Sequence, residues 1–286
     1  MKILRAQTAG FCMGVDLALK KLASLIKEPP VQGQQSAILT FGPIIHNPQV
    51  LEEYAAKGVR VVNDPQDIPA GATVVIRAHG IPEPVRRAIV ARGASLIDAT
   101  CPKVKKAQTL IAAQAGKDKV LLLFGEEDHP EVKGLLSYAT AGAHVFGSMQ
   151  ELEQRDLPHG PTYFLAAQTT QDEMEFCRLR DYLKDRFGQE LTVLSTICNA
   201  TVNRQQEAMD LAALVDFMVV VGGLDSGNTR RLAQVARAAG TPCIHIETAD
   251  ELSRDMLAAN RTIGLTAGAS TPKKIIDRVQ KALEAF

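Results

Sequence analysis

The stretch Ala94-Ser95-Leu96-Ile97-Asp98-Ala99-Thr100-Cys101-Pro102-Lys103-Val104 decides the fold. A short apolar run leads into a turn carrying Cys101, and a helical pattern then runs from Val104 to Ala113. Pro102 suits the first position of a helix, where a missing N–H leaves no bond unmade. A cysteine just before that proline lies at the positive end of the helix dipole, which favours the thiolate, the form that binds metal. Asp98, three residues earlier, is read as a brace for the turn.

Working outward, the same unit occurs twice more. Lys2-Ile3-Leu4-Arg5-Ala6 leads to Gly10-Phe11-Cys12-Met13-Gly14 and a helical run from Val15 to Ile26. Leu191-Thr192-Val193-Leu194 leads to Cys198-Asn199-Ala200 and a helix expected from about Asn203 to Leu214. The three cysteines are 89 and 97 residues apart. After each comes an apolar run ending in glycine: Ala37 to Gly42, Val120 to Gly125 and Phe217 to Gly222. Runs this uniformly apolar suit parallel strands covered on both faces. Each third then holds a short strand (Val59–Val62, His144–Phe146, Cys243–Ile246). A last strand ends in a small polar turn, at Ala78-His79-Gly80, Ala167-Gln168-Thr169-Thr170 and Ala267-Gly268-Ala269-Ser270. Helices are expected to start near Pro82, Asp172 and Pro272. The fold class is therefore α/β, with three pseudo-repeated domains of mostly parallel sheet. The boundaries are set at 14–99, 100–197 and 198–286, the last joined by the N-terminal strand 1–13.

Composition narrows the partners. The 286 residues carry 32 basic and 32 acidic side chains, a net charge of +0, so no global field draws nucleic acid or an anionic membrane. No apolar segment of signal or spanning length is present, and the expected location is cytoplasmic. Five scattered cysteines make a poor disulfide framework. Cys177 lies inside a helical run and Cys243 in a short apolar strand, so both are read as packing residues. Cys12, Cys101 and Cys198 share one position in three repeats and are the candidate metal ligands. Three thiolates without a fourth suit either zinc completed by another ligand or an iron–sulfur cluster with an open iron.

Ligands of open α/β sheets bind beyond the carboxyl ends of the strands. His46, His79, His129, Glu131, Thr169, Ser226, Asn228 and Ser270 all follow such ends, and a single central site would gather them with the three cysteines. The hydroxyls, amide and imidazoles suit a diphosphate-sized anion, helped by helix N-termini. Glu131 is the obvious carboxylic acid and the candidate proton donor. His144, His159 and His245 are read as structural. No G-x-x-x-x-G-K-[ST] loop is present, which argues against a nucleoside triphosphatase of that kind.

Eight motifs in order carry a family resemblance: Gly10-Phe11-Cys12-Met13-Gly14-Val15-Asp16, Ala78-His79-Gly80, Asp98 to Pro102, His129 to Gly134, Gln168-Thr169-Thr170, Cys198 to Thr201, Ser226-Gly227-Asn228 and Thr266 to Ser270. Together they resemble the LytB family of 4-hydroxy-3-methylbut-2-enyl diphosphate reductases, across nearly the whole chain. The resemblance implies a trefoil around one [4Fe–4S] cluster per chain, ligated by Cys12, Cys101 and Cys198, with one iron not ligated by cysteine. It implies a diphosphate held by His46, His79, Ser226, Asn228 and Ser270. His129, Glu131 and Thr169 would serve the alcohol end and proton delivery. The implied reaction is reductive dehydroxylation to isopentenyl and dimethylallyl diphosphate, with electrons from a ferredoxin- or flavodoxin-type donor. Gly227 departs from relatives with a serine there, and Asn199 stands where tyrosine is common. Two readings of other classes stand beside this one: a non-catalytic iron–sulfur electron carrier, and a zinc-dependent hydrolase or lyase acting on a small phosphorylated substrate.

Overall fold

The computed structural model describes residues 1–27, 37–257 and 261–286. In chain order, β1 (Lys2–Arg5) and α1 (Met13–Lys27) precede β2 (Ile38–Phe41), α2 (Pro48–Ala55), β3 (Arg60–Val62), β4 (Thr73–Ile76), α3 (Glu83–Ala91) and β5 (Ser95–Asp98). Then come α4 (Pro102–Ala115), β6 (Val120–Phe124), α5 (Pro130–Leu136), β7 (Ala143–Phe146), α6 (Met149–Glu153), β8 (Tyr163–Ala167), α7 (Glu173–Phe187) and β9 (Thr192–Val193). The last third holds α8 (Asn199–Ala212), β10 (Phe217–Val221), α9 (Gly227–Ala238), β11 (Cys243–Ile246), α10 (Arg254–Leu257), β12 (Thr262–Ala267) and α11 (Lys273–Glu284).

These strands form three four-stranded sheets, in the orders β3-β2-β4-β5, β7-β6-β8-β9 and β11-β10-β12-β1. Every ladder is parallel. Each order reads short edge strand, central strand, last strand, cysteine strand, so the expected α/β class and the threefold repeat are both borne out. The N-terminal β1 supplies the cysteine strand of the third sheet, with Lys2 beside Thr262 and Arg5 beside Leu265.

The apolar runs explain the burial. Along β6, Leu122 and Phe124 enter a core with Phe146, Leu165 and Phe176, while Leu121 and Leu123 enter another with Ile111, Val132 and Leu135. Successive side chains point to opposite faces, so a strand must be apolar throughout when both faces are covered. Each buried Leu or Phe contributes about 1.5–3 kcal/mol. Strand β10 is divided the same way, with Val219 and Val221 in one cluster and Met218 and Val220 in two others.

Packing divides the chain into two compact units. One comprises Met1–Asp16, Ile45–Glu52 and Asn199–Phe286; the other comprises Leu17–Ile44 and Glu53–Cys198. The first holds the β11-β10-β12-β1 sheet and the second holds the other two.

Two local expectations need correction. Helix α8 starts at Asn199 rather than near Asn203 and ends at Ala212. Its first turns are held by packing, with Thr201, Arg204 and Gln205 all buried. The strand read over Leu191–Leu194 is only Thr192–Val193. Beyond it, Thr196 takes over the edge of β8: its hydroxyl accepts from Ala167 N–H at 2.8 Å and donates to Ala167 O at 2.7 Å. Among the described residues no helix is long and apolar enough to cross a membrane.

Candidate active site

The three cysteines occupy one structural position. In each case a helix starts at the next residue: Met13, Pro102 and Asn199. Each cysteine also donates its N–H to a carbonyl in the turn after the neighbouring strand. Cys12 donates to Ala269 at 3.1 Å, Cys101 to Ala78 at 2.9 Å, and Cys198 to Thr169 at 3.0 Å. The strand pairs responsible are β1–β12, β5–β4 and β9–β8. All three thiols are half-buried and none is in a disulfide. Asp98 braces the Cys101 turn as read, its carboxylate accepting from Thr100 N–H at 2.9 Å and from Lys105 Nζ at 2.6 Å. Burial alone would raise this carboxyl, but the Lys105 and Thr100 bonds hold it below the usual range, and Arg86 Nη1 lies 4.0 Å away.

Within the unit of Leu17–Ile44 and Glu53–Cys198, the candidate residues form a connected network. Glu131, in the first turn of α5, is 1% exposed. Its Oε1 accepts from Thr169 N–H at 2.7 Å and its Oε2 from the Thr169 hydroxyl at 2.9 Å. Burial pushes the Glu131 carboxyl from 4.5 up to about 7, against the pull of the two Thr169 bonds. His129 caps α5, its Nδ1 accepting from Glu131 N–H at 3.1 Å, which puts the proton of the neutral ring on Nε2. The His79 ring stands edge-on to it, 5.3 Å between centroids. Thr169 therefore links the carboxyl to the turn of Cys198, and Ala78, beside His79, receives the Cys101 N–H. Gln168, fully buried, holds the facing turn by accepting from Glu126 N–H at 3.1 Å.

The other unit gathers Cys12, His46, Ser226, Asn228 and Ser270. The Ser270 hydroxyl donates to His46 O at 3.0 Å. Gly223 lies against that carbonyl, and a Cβ there would stand 2.7 Å from it, so glycine permits the approach. Ser226 caps α9, accepting from Thr229 N–H at 3.4 Å. Gly227 is the first residue of α9 and carries no hydroxyl there. Thr229 is clasped between Gly222 and Gly268, neither of which has room for a side chain on that side. Asn228 is 7% exposed, and its Nδ2 has no hydrogen-bond partner. A buried amide donor left unsatisfied at the N-terminus of a twelve-residue helix is suited to an anion.

His245 Nε2 lies 2.8 Å from Gly222 O, and His144 tilts against Tyr163. Burial raises the Cys243 thiol to about 11. Sequence reasoning missed Thr196 and Thr229 because neither stands out in a motif. The positions that place them, Ala167 and the glycines at 222 and 268, are the only local signal.

Comparison with known proteins assigns the chain to a family. The family described as LytB protein matches residues 3–284. A 4-hydroxy-3-methylbut-2-enyl diphosphate reductase of Solidesulfovibrio magneticus is 79% identical over the full length of both chains. One from Geobacter sulfurreducens is 40% identical over 100% of this chain and 98% of its own. Among solved structures, a (E)-4-hydroxy-3-methyl-but-2-enyl diphosphate reductase described as the terminal enzyme of the non-mevalonate pathway has 35% identity and a TM-score of 0.66, covering 100% of this chain and 99% of its own. The Plasmodium falciparum E-1-hydroxy-2-methyl-but-2-enyl-4-diphosphate reductase has 26% identity and a TM-score of 0.91, covering 99% and 87%. The chain belongs to the LytB family.

Proposed function

We propose that this LytB protein is an oxidoreductase of isoprenoid biosynthesis that converts 4-hydroxy-3-methylbut-2-enyl diphosphate to isopentenyl and dimethylallyl diphosphate. The balance is one C–O bond broken, two electrons and two protons taken up, and one water released. Electrons come singly from a ferredoxin- or flavodoxin-type donor in the cytoplasm.

Cys12, Cys101 and Cys198 would hold the [4Fe–4S] cluster. The donor set fits: three half-buried, disulfide-free thiols sit on equivalent turns whose backbone N–H groups are already bonded elsewhere. When bound, a cluster with three cysteine ligands supplies single electrons and a Lewis-acidic iron.

The chain's own residues do the rest. Ser226, Asn228, Ser270, His46 and His79 bind the diphosphate, with the first N–H groups of α9 adding donors. Glu131 holds the proton that leaves with water. Near pH 7 its carboxyl is partly neutral; protonated at Oε2 it reverses the Thr169 bond and donates to that hydroxyl, which then turns its own proton to the substrate oxygen. His129, a neutral ring with its proton on Nε2, orients the alcohol end.

The observation that carries this reading is the buried Glu131–Thr169 pair, which an electron carrier has no need of. Anaerobic turnover with the allylic diphosphate and a one-electron donor tests it. Both products should form. A zinc protein lacking acid-labile sulfide after reconstitution, or a cluster protein that passes electrons without consuming the diphosphate, would overturn it.

A further inference from the structure

We propose that Arg204 and Glu207 of α8 are positioning residues for Cys12, holding the loop that presents its sulfur; the part of this that concerns the cluster rests on the function proposed above. The β1–β12 ladder ends where Ala6 donates its N–H to Leu265 O at 2.9 Å. From Gln7 to Phe11 the chain has left the sheet. Glu207 receives it: Oε1 accepts from Gln7 N–H at 2.6 Å, and Oε2 accepts from Thr8 N–H at 2.9 Å and from the Thr8 hydroxyl. One helical turn earlier, Arg204, 5% exposed, donates from Nη2 to Gly10 O at 2.9 Å. Residues three apart share a helix face, so one face of α8 grips the loop at both ends. Gly10 has φ +120°, a conformation that needs glycine, and Cys12 N–H is then fixed on Ala269 O.

The other cysteine turns are braced from nearby in the chain, by Asp98 for Cys101 and Thr196 for Cys198. Cys12 follows the N-terminal strand and takes its brace from a distant helix instead. That helix starts directly after Cys198. Burial alone would raise the Glu207 carboxyl, but the Thr8 and Gln7 donors and the Arg204 charge together hold it below the usual range, so it remains an acceptor for all three. Gln at 207 replaces one of the two oxygens with an NH2 donor, so Gln7 and Thr8 no longer each have an acceptor of their own.

The test compares Glu207→Gln and Arg204→Met with wild type, using Asp210→Asn as a control on the exposed face of α8. In the cluster-free chain, hydrogen exchange at Gln7 and Thr8 and the alkylation rate of each cysteine are read by mass spectrometry. Glu207→Gln should exchange at Thr8 about tenfold faster, the equivalent of about 1.4 kcal/mol. Cys12 should alkylate several-fold faster in both variants, with Cys101 and Cys198 unchanged. In the reconstituted protein, both should lose iron to a chelator about five- to tenfold faster and alter the electron paramagnetic resonance spectrum of the reduced cluster. Unchanged Thr8 exchange and Cys12 alkylation overturn the proposal. So does an equal rise at all three cysteines with a lower melting temperature, or the same changes in Asp210→Asn. If wild type takes up no cluster, the proposed function falls, and exchange and alkylation alone decide the positioning role.

Discussion

The two sets of candidate residues solve opposite problems. Around Glu131 every carboxylate oxygen is satisfied from within, by one threonine, and the group is buried at the cost of a carboxyl raised to about 7. Around Asn228 the reverse holds: the Ser226 oxygen accepts the helix cap and keeps its O–H to give, the Ser270 hydroxyl rests on the His46 carbonyl, and the buried amide keeps a donor unused. The first set is suited to holding a proton. The second keeps hydrogen-bonding capacity in reserve. A network closed on itself is suited to chemistry, and one left open is suited to binding.

That division can be broken by experiment. The largest effect is expected from Glu131→Gln, which keeps the shape and removes the acid. Steady-state kinetics should show kcat lower by about 10²–10⁴-fold with KM little changed, the usual range for a lost general acid, and iron content equal to wild type. A change confined to KM would assign Glu131 to binding.

Next is the pH dependence of stability. With the folded carboxyl raised from 4.5 to about 7, the folded state binds the extra proton between those values. Stability from this group is full below about 4.5 and is lost as pH rises through about 7, amounting to about 3 kcal/mol. Urea denaturation of the cluster-free chain at pH 5 and pH 8 should show this loss, and Glu131→Gln should show less of it. Equal pH slopes in the two proteins would contradict the buried-acid reading.

A smaller effect is expected from Asn228→Ala. It should raise KM about tenfold while leaving the ligand-free chain as stable as wild type or slightly more so, because a buried unsatisfied donor costs about 1–3 kcal/mol. A clear fall in melting temperature would show that the amide is structural. The smallest is Thr196→Val, which removes the hydroxyl bonded to both backbone groups of Ala167 and should cost about 1–2 kcal/mol in denaturant titration with KM for the diphosphate unchanged.

Much of this was legible in the sequence because the informative features are local. An apolar run of five, a glycine, then a polar turn marks the end of a parallel strand wherever it occurs, and three repeats in register made the cysteine turns equivalent. Pro102 located the start of α4 directly. Asn199 offered no such signal, since Asn-Ala-Thr-Val has weak helix preference and the turn is held by burial of Thr201 and Arg204. Contacts between distant residues were not legible at all. Glu131 could be named as an acid, but neither the burial that raises its carboxyl nor the Thr169 bonds that oppose it can be read locally, and Thr8 bears no mark of its bond to Glu207.

The pairing of β1 with β12 also bears on how the molecule is made. Lys2 to Arg5 are made before the strands of the first two sheets, yet the strand they pair with, Thr262 to Leu265, is made after both. The first two sheets can form as soon as their own strands emerge. The first cysteine made is thus the last to be placed. A group held by all three could load only once β12 has been made, and a truncated product lacking β12 would leave β1 without its partner strand.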